Sequence, residues 1–205
     1  MNRIEIKTKA KEMIKGNLWY ILKPMVIFAL ICFVCGLVAA LIDNAIEAPV
    51  FVSIIDCISG IVSSIVAVGY TYYCLAFIRG QKHEWTEVFT FAKDHWVISL
   101  LVSLLTGLNI AIGMILLIIP GIIAGLGLTF WAHVVADNPE LSVTDALRKA
   151  WNITNGYKVD ILVFYLSFLG WLLLVPFTLG ILAIWLVPYM VVAEAILYDK
   201  MKATK

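Results

Sequence analysis

The fifteen Lys and Arg residues of this chain fall in four short stretches separated by long apolar segments. The stretches cover residues 1–23, 79–93, 148–158 and 200–205, and hold six, three, three and three basic residues. The connections that alternate with them, 43–49, 118–121 and 176–180, hold none. Basic residues collect in the cytoplasmic loops of membrane proteins. The alternation therefore predicts an all-α, polytopic chain of six transmembrane helices with both termini cytoplasmic.

Composition closes off the soluble alternative. The residues are 62% hydrophobic and 14% charged, against about a quarter charged in soluble domains. Residues 96–136 include forty-one positions without Asp, Glu, Lys or Arg. As one helix they would reach about 60 Å, twice the hydrocarbon thickness of a bilayer, so they must fold back. Ile119-Pro120-Gly121 is the best turn, with Pro120 at the first position of the returning helix, and residues 109–113 are the runner-up. Residues 159–198 behave the same way, with a turn at 176–180 and a kink at Pro188. The spans are placed at 20–42, 56–78, 96–117, 120–136, 159–176 and 180–198, all in a single integral-membrane domain over 1–205. The N-terminal segment is too long and amphipathic for a cleaved leader and is expected to remain as a signal anchor.

The basic stretches also show helical spacing. Ile6, Ala10, Met13 and Ile14 share one face, with Lys7, Lys11 and Lys15 among the polar residues. Trp85, Val88, Phe89 and Ala92 repeat that spacing. After Asn138-Pro139, Ser142 caps a helix with Asp145 three residues on. Val143, Ala146, Leu147, Ala150 and Trp151 lie on one side of that helix, opposite Asp145, Arg148, Lys149 and Asn152. Three amphipathic cytoplasmic surface helices follow, lying on the membrane or docked against the bundle. Surface helix, span, tight outer turn and span then form a threefold repeat starting near Ile4, Glu84 and Ser142.

The second half carries Ile118-Ile119-Pro120-Gly121, Asp137-Asn138-Pro139-Glu140-Leu141-Ser142 leading into Asp145-Ala146-Leu147, and Asn155-Gly156-Tyr157-Lys158. Leu166-Ser167-Phe168-Leu169-Gly170-Trp171 follows, then Leu179-Gly180-Ile181 through Trp185 to Pro188-Tyr189. With Arg79-Gly80 and residues 10–19, these strings resemble the Gram-positive integral-membrane family catalogued as domain of unknown function 975. The resemblance implies a bacterial plasma-membrane protein of about this size, and it extends distantly to membrane domains attached to some glycerophosphodiester phosphodiesterases. It brings no catalytic residues.

Ionisable residues at membrane depth are costly and mark functional candidates. His133, Asp160 and Glu194 are expected at similar depth near the inner ends of the fourth, fifth and sixth spans, as an inner-face polar cluster or as three locally paired interfacial residues. Asp56 reads as a helix N-terminus at the outer interface. Ser99, Ser103, Thr106 and Asn109 share a face of the third span and are expected to bond to helices or their own backbone. Gly121 and Gly125, with Ser59, Ser63 and Ala67, read as close helix contacts. Trp19, Tyr20, Tyr72, Tyr73, Trp96, Trp131, Tyr157 and Tyr198 read as an interfacial belt. Cys32 and Cys35 form a Cys-x-x-Cys without a His or acid in their span, and are read as small hydrophobes.

Metalloprotease, phosphate-loop and nucleophile-elbow motifs are missing, so no enzyme, cofactor or metal is expected, and no nucleic-acid partner. The expected role is a non-enzymatic plasma-membrane protein that binds lipid or a partner membrane protein through its cytoplasmic face. Lys7, Lys11, Lys15, Arg148 and Lys149 are the candidate contacts to anionic inner-leaflet lipids; homo-oligomerisation is another form of partnership. The alternative is a small transporter of an amphiphilic peptide or lipid-like compound, suggested by the repeat and the proline-broken spans.

Overall fold

Apolar runs without charge satisfy their backbone groups internally as helices, the solution a bilayer demands. The computed structural model describes residues 3–46, 49–116, 118–178 and 180–204, and among them it is helical with no strand. The order is α1 (Arg3–Ile14), α2 (Leu18–Ile46), α3 (Pro49–Ile78), α4 (Glu87–Asp94), α5 (Trp96–Leu116), α6 (Ile118–Leu128), α7 (Trp131–Asp137), α8 (Val143–Thr154), α9 (Lys158–Leu174) and α10 (Ile181–Lys202). A short 3-10 turn, Pro176–Thr178, precedes α10. Six stretches are long and apolar enough to cross a membrane: Leu18–Val38, Ser53–Ile78, Trp96–Ile115, Ile119–Asp137, Lys158–Thr178 and Ile181–Lys202.

The second span's helix begins at Pro49, not near Asp56. Proline suits a helix start, and residues 50–55 carry no charge to delay it. Asp56 is thus inside the helix, and its side chain lies outside the described residues, as do Glu47 and Ala48 of the expected 43–49 connection. The fourth span is two helices, α6 and α7, separated at Thr129 and Phe130. Pro120 sits in the first turn of α6 rather than at its first position. The α5–α6 hairpin closes on glycine: a Cβ on Gly113 would lie 2.8 Å from the Gly121 Cα.

Pro24 lies inside α2 and has no N–H for the Tyr20 carbonyl one turn back. The Tyr73 hydroxyl donates to that carbonyl at 3.0 Å, and the Tyr70 hydroxyl donates to the next, Ile21, at 3.2 Å. Helix α3 therefore repairs the defect in α2. It is also the hub, packing against α2, α4, α5, α7 and α10.

The core gathers at the end where the basic helices sit. Ile6, Ala10 and Ile14 of α1, Val88 and Ala92 of α4, and Ala146, Ala150 and Ile153 of α8 are buried there with Val134, Val135, Val192, Ala193 and Leu197. Far from that end, Leu37, Val38, Leu108, Ile115, Leu173 and Ile181 are exposed, as lipid-facing residues would be. Trp85 precedes α4 rather than joining its face.

Candidate functional site at the basic end

Arg79 follows α3 directly, Asp137 ends α7, and Asp199 and Lys202 occupy the last turn of α10. The fold brings these helix ends together. Arg79 donates from Nε and Nη2 to both oxygens of Asp199, at 3.1 and 2.6 Å, and from Nη1 to Asp137 Oδ1 at 2.7 Å. The other Asp137 oxygen accepts from the Tyr198 hydroxyl at 3.1 Å and from the Lys202 ammonium. Asp137 is 8% exposed against 34% for Arg79, so the layer is shielded beneath and wet above. The bonds to Asp199, then those to Asp137, raise the Arg79 pKa above its ordinary value. On the flank, Lys200 pairs with Glu5 of α1 at 3.1 Å.

His133 is buried behind this layer, at 3% exposure. Its ring lies 5.2 Å from Tyr198 and 5.5 Å from Phe130, and neither nitrogen has a hydrogen-bond partner among the described residues. Glu194 is half-buried and accepts a bond from the Tyr165 hydroxyl at 2.8 Å. Asp160 stands in the first turn of α9. Among the described residues no hydrogen bond joins any two of His133, Asp160 and Glu194, so the three do not form one bonded cluster. The shared element is α10, whose Tyr198 meets His133 and whose Glu194 meets Tyr165.

The three short helices turn their apolar faces to protein. Helix α8 docks on the interruption of the fourth span: Thr154 donates to the Gly127 carbonyl at 2.7 Å, and the Trp151 ring lies where a Gly127 Cβ would be, 2.2 Å away. Lys158 sits over the same Trp151 side chain, 3.5 Å from its ring centroid. Helix α4 meets Gly69 of α3, where a Cβ would come within 2.1 Å of the Val88 carbonyl oxygen. Tyr20 holds the preceding loop, donating to the His83 carbonyl at 2.8 Å and accepting from its N–H at 2.9 Å.

The five basic candidates divide. Lys11, Lys15 and Arg148 are exposed. Lys7 instead reaches into the bundle, donating to the Ser167 carbonyl at 3.0 Å with its ammonium 3.9 Å from the Phe168 centroid, and burial lowers its pKa. Lys149 donates to Asn138 Oδ1 at 2.9 Å. Leu141, Asp145, Arg148, Lys149, Asn152, Ile153 and Lys202 line a cavity of about 420 Å³ beside α8.

Three of the four polar residues of the third span bond as expected, while the buried Thr106 hydroxyl has no partner among the described residues. Ser99 donates to His95, Ser103 to Leu100, and Asn109 to Leu105, while Ser103 also reaches Ser64 at 3.3 Å. The aromatic belt splits: Trp19 and Trp96 are exposed, whereas Tyr73 and Tyr198 belong to the core. All four cysteines are free, with Cys74 buried. Among the described residues no three His, Cys, Asp or Glu side chains gather to hold a metal.

The Arg79–Asp137–Asp199–Lys202 layer and the Tyr165–Glu194 pair escaped sequence reasoning. A signal for the layer existed: Arg79, Asp137 and Asp199 each end an apolar run. Residues 108–205 match the family model described as Protein of unknown function (DUF975). No curated protein and no solved structure matches the chain.

Proposed function

We propose that this chain, which belongs to the DUF975 family through residues 108–205, is a non-enzymatic bacterial plasma-membrane protein that binds anionic inner-leaflet lipid at its cytoplasmic face. The carrying observation is the cavity beside α8, where Arg148, Lys149 and Lys202 stand around walls that include Leu141 and Ile153. Cations beside apolar surface at a helix-bundle end suit a phosphate headgroup with its acyl chains alongside. Exposed Lys11 and Lys15 extend the positive surface. Asp145 lines the same cavity and favours headgroups that also carry a hydrogen-bond donor.

The test compares retention of phosphatidylglycerol and phosphatidylcholine by native mass spectrometry. Preference for the anionic lipid is expected. Arg148→Gln with Lys149→Gln should remove about 2 kcal/mol, roughly thirtyfold in relative affinity. Equal retention of both lipids by the unaltered protein defeats the reading, and a co-purifying polypeptide in place of lipid redirects it to a protein partner. Transport is the second reading, favoured by the interruption between α6 and α7, because broken spans recur in transporters. Flux in sealed liposomes separates the two, since a binding module carries none.

A further inference from the structure

At Thr129 and Phe130 the fourth span stops being a regular helix. Among the described residues, Trp131, Ala132 and His133 make no backbone bond one turn back to Gly127, Leu128 and Thr129, and the ladder resumes with Val134 to Phe130 at 3.0 Å. Thr154 satisfies Gly127; among the described residues the Leu128 and Thr129 carbonyls have no helical partner. Thr129 lies beside the Tyr165 hydroxyl, and that hydroxyl donates to Glu194 Oε1. Cys74 of α3 is fully buried and lies within electrostatic range of Glu194.

These groups share a depth. Glu194 is five residues before Asp199, Tyr165 seven after Lys158, and Thr129 eight before Asp137. At the helical rise, each lies about 8–12 Å beyond the charged end of its own segment. Among the described residues no Lys, Arg or His pairs with Glu194. A carboxylate at that depth with one neutral hydrogen bond is costly unless its charge is neutralised. Hydroxyl oxygens retain lone pairs after donating, and carbonyls released at a broken span are the usual ligands of coupling cations.

We propose that Glu194, the hydroxyls of Tyr165 and Thr129, and the carbonyls of Leu128 and Thr129 form a binding site for one small monovalent cation, sodium or the proton. One carboxylate balances one unit charge, whereas a divalent ion would leave an excess. The site is separate from the α8 cavity, and its existence does not depend on lipid binding.

The test uses the full chain in nanodiscs of zwitterionic lipid, with thermal unfolding followed as sodium replaces choline at constant ionic strength, at pH 6 and pH 8. Binding to sodium raises the Tm by about 3 °C for each tenfold increase above saturation. Glu194→Gln, which keeps the shape and removes the charge, abolishes that slope, and Thr129→Val and Tyr165→Phe weaken it at unchanged helical content. Stabilisation by acid without a sodium response, again abolished in Glu194→Gln, upholds the site with the proton as its occupant. A wild-type Tm indifferent to both sodium and pH, or a response that Glu194→Gln retains, overturns the proposal.

Discussion

Arg79 directs three nitrogens at two carboxylates from different helices, a fork geometry that lysine does not reproduce. Arg79→Lys should therefore cost about 1–2 kcal/mol of stability, reduced from a fully buried pair because the guanidinium is partly wet. Chemical or thermal unfolding in detergent reads the loss; a change within 0.3 kcal/mol of zero, roughly the noise of such assays, would make the layer incidental. His133 tests the opposite case. Neither ring nitrogen has a partner among the described residues, and replacing an unsatisfied buried polar group by an apolar one of similar shape is neutral or stabilising. His133→Phe should accordingly hold or raise the Tm, whereas a marked loss would reveal a bond that the imidazole makes through water. The ionisable positions themselves were legible, since charge stands out in an apolar run. Their partners were not: Tyr198 and Asp137 are 61 residues apart, and no periodicity links helices across that distance.

Element boundaries follow how backbone groups are satisfied, and here side chains from neighbouring helices do much of it. Thr154→Val would leave the Gly127 carbonyl without its donor, costing about 1–3 kcal/mol, and Gly127→Ala would press a methyl into the Trp151 ring. Hydrogen exchange should show both variants releasing α8 while α9 stays protected; unchanged protection in α8 would contradict the docking. Sequence placed α8 and its Ser142 cap, which accepts from the Asp145 N–H at 3.2 Å. The interruption at Thr129–Phe130 was not legible, because neither residue is a helix breaker and the compensating hydroxyl lies 27 residues away. Units one and three of the expected repeat share a joint: Gly16 and Gly156 have φ of 90° and 86° between a short helix and a span, while α4 passes to α5 through His95 without glycine. Helix α4 carries its own pH dependence. Its Glu87 bonds the His83 ring and the Glu84 N–H, and the His83 bond lowers the Glu87 pKa. A depressed carboxyl contributes stability above its unfolded value of about 4.3, and that contribution disappears as pH falls through the lower folded value. Trp85 fluorescence should report loosening of this segment only in that acid window, and Glu87→Gln should remove the transition.

At the scale of the whole molecule, stability and charge lie at one end. Half of the sixth span is buried and 44% of the fourth, against 17% of the first and fifth, so α10 and the α6–α7 pair are the interior and α2 and α9 the periphery. The Glu5–Lys200 pair brings the two termini to the same end, which six crossings require. On the charge rule that end is expected on the cytoplasmic side, and labelling from each side of the membrane checks it. Single cysteines at Thr8 in α1, Thr144 in α8 and Thr178 in the 3-10 turn are all exposed positions; the four native cysteines are replaced by serine or alanine. An impermeant maleimide should label Thr8→Cys and Thr144→Cys only in inside-out vesicles and Thr178→Cys only in right-side-out ones. Labelling of all three from one side would remove the sixfold crossing, since Thr178 joins the fifth and sixth spans. Opposite sidedness with the pattern inverted would keep the fold and turn the basic end outward, leaving Arg148 and Lys149 away from the anionic leaflet and the lipid reading without its partner.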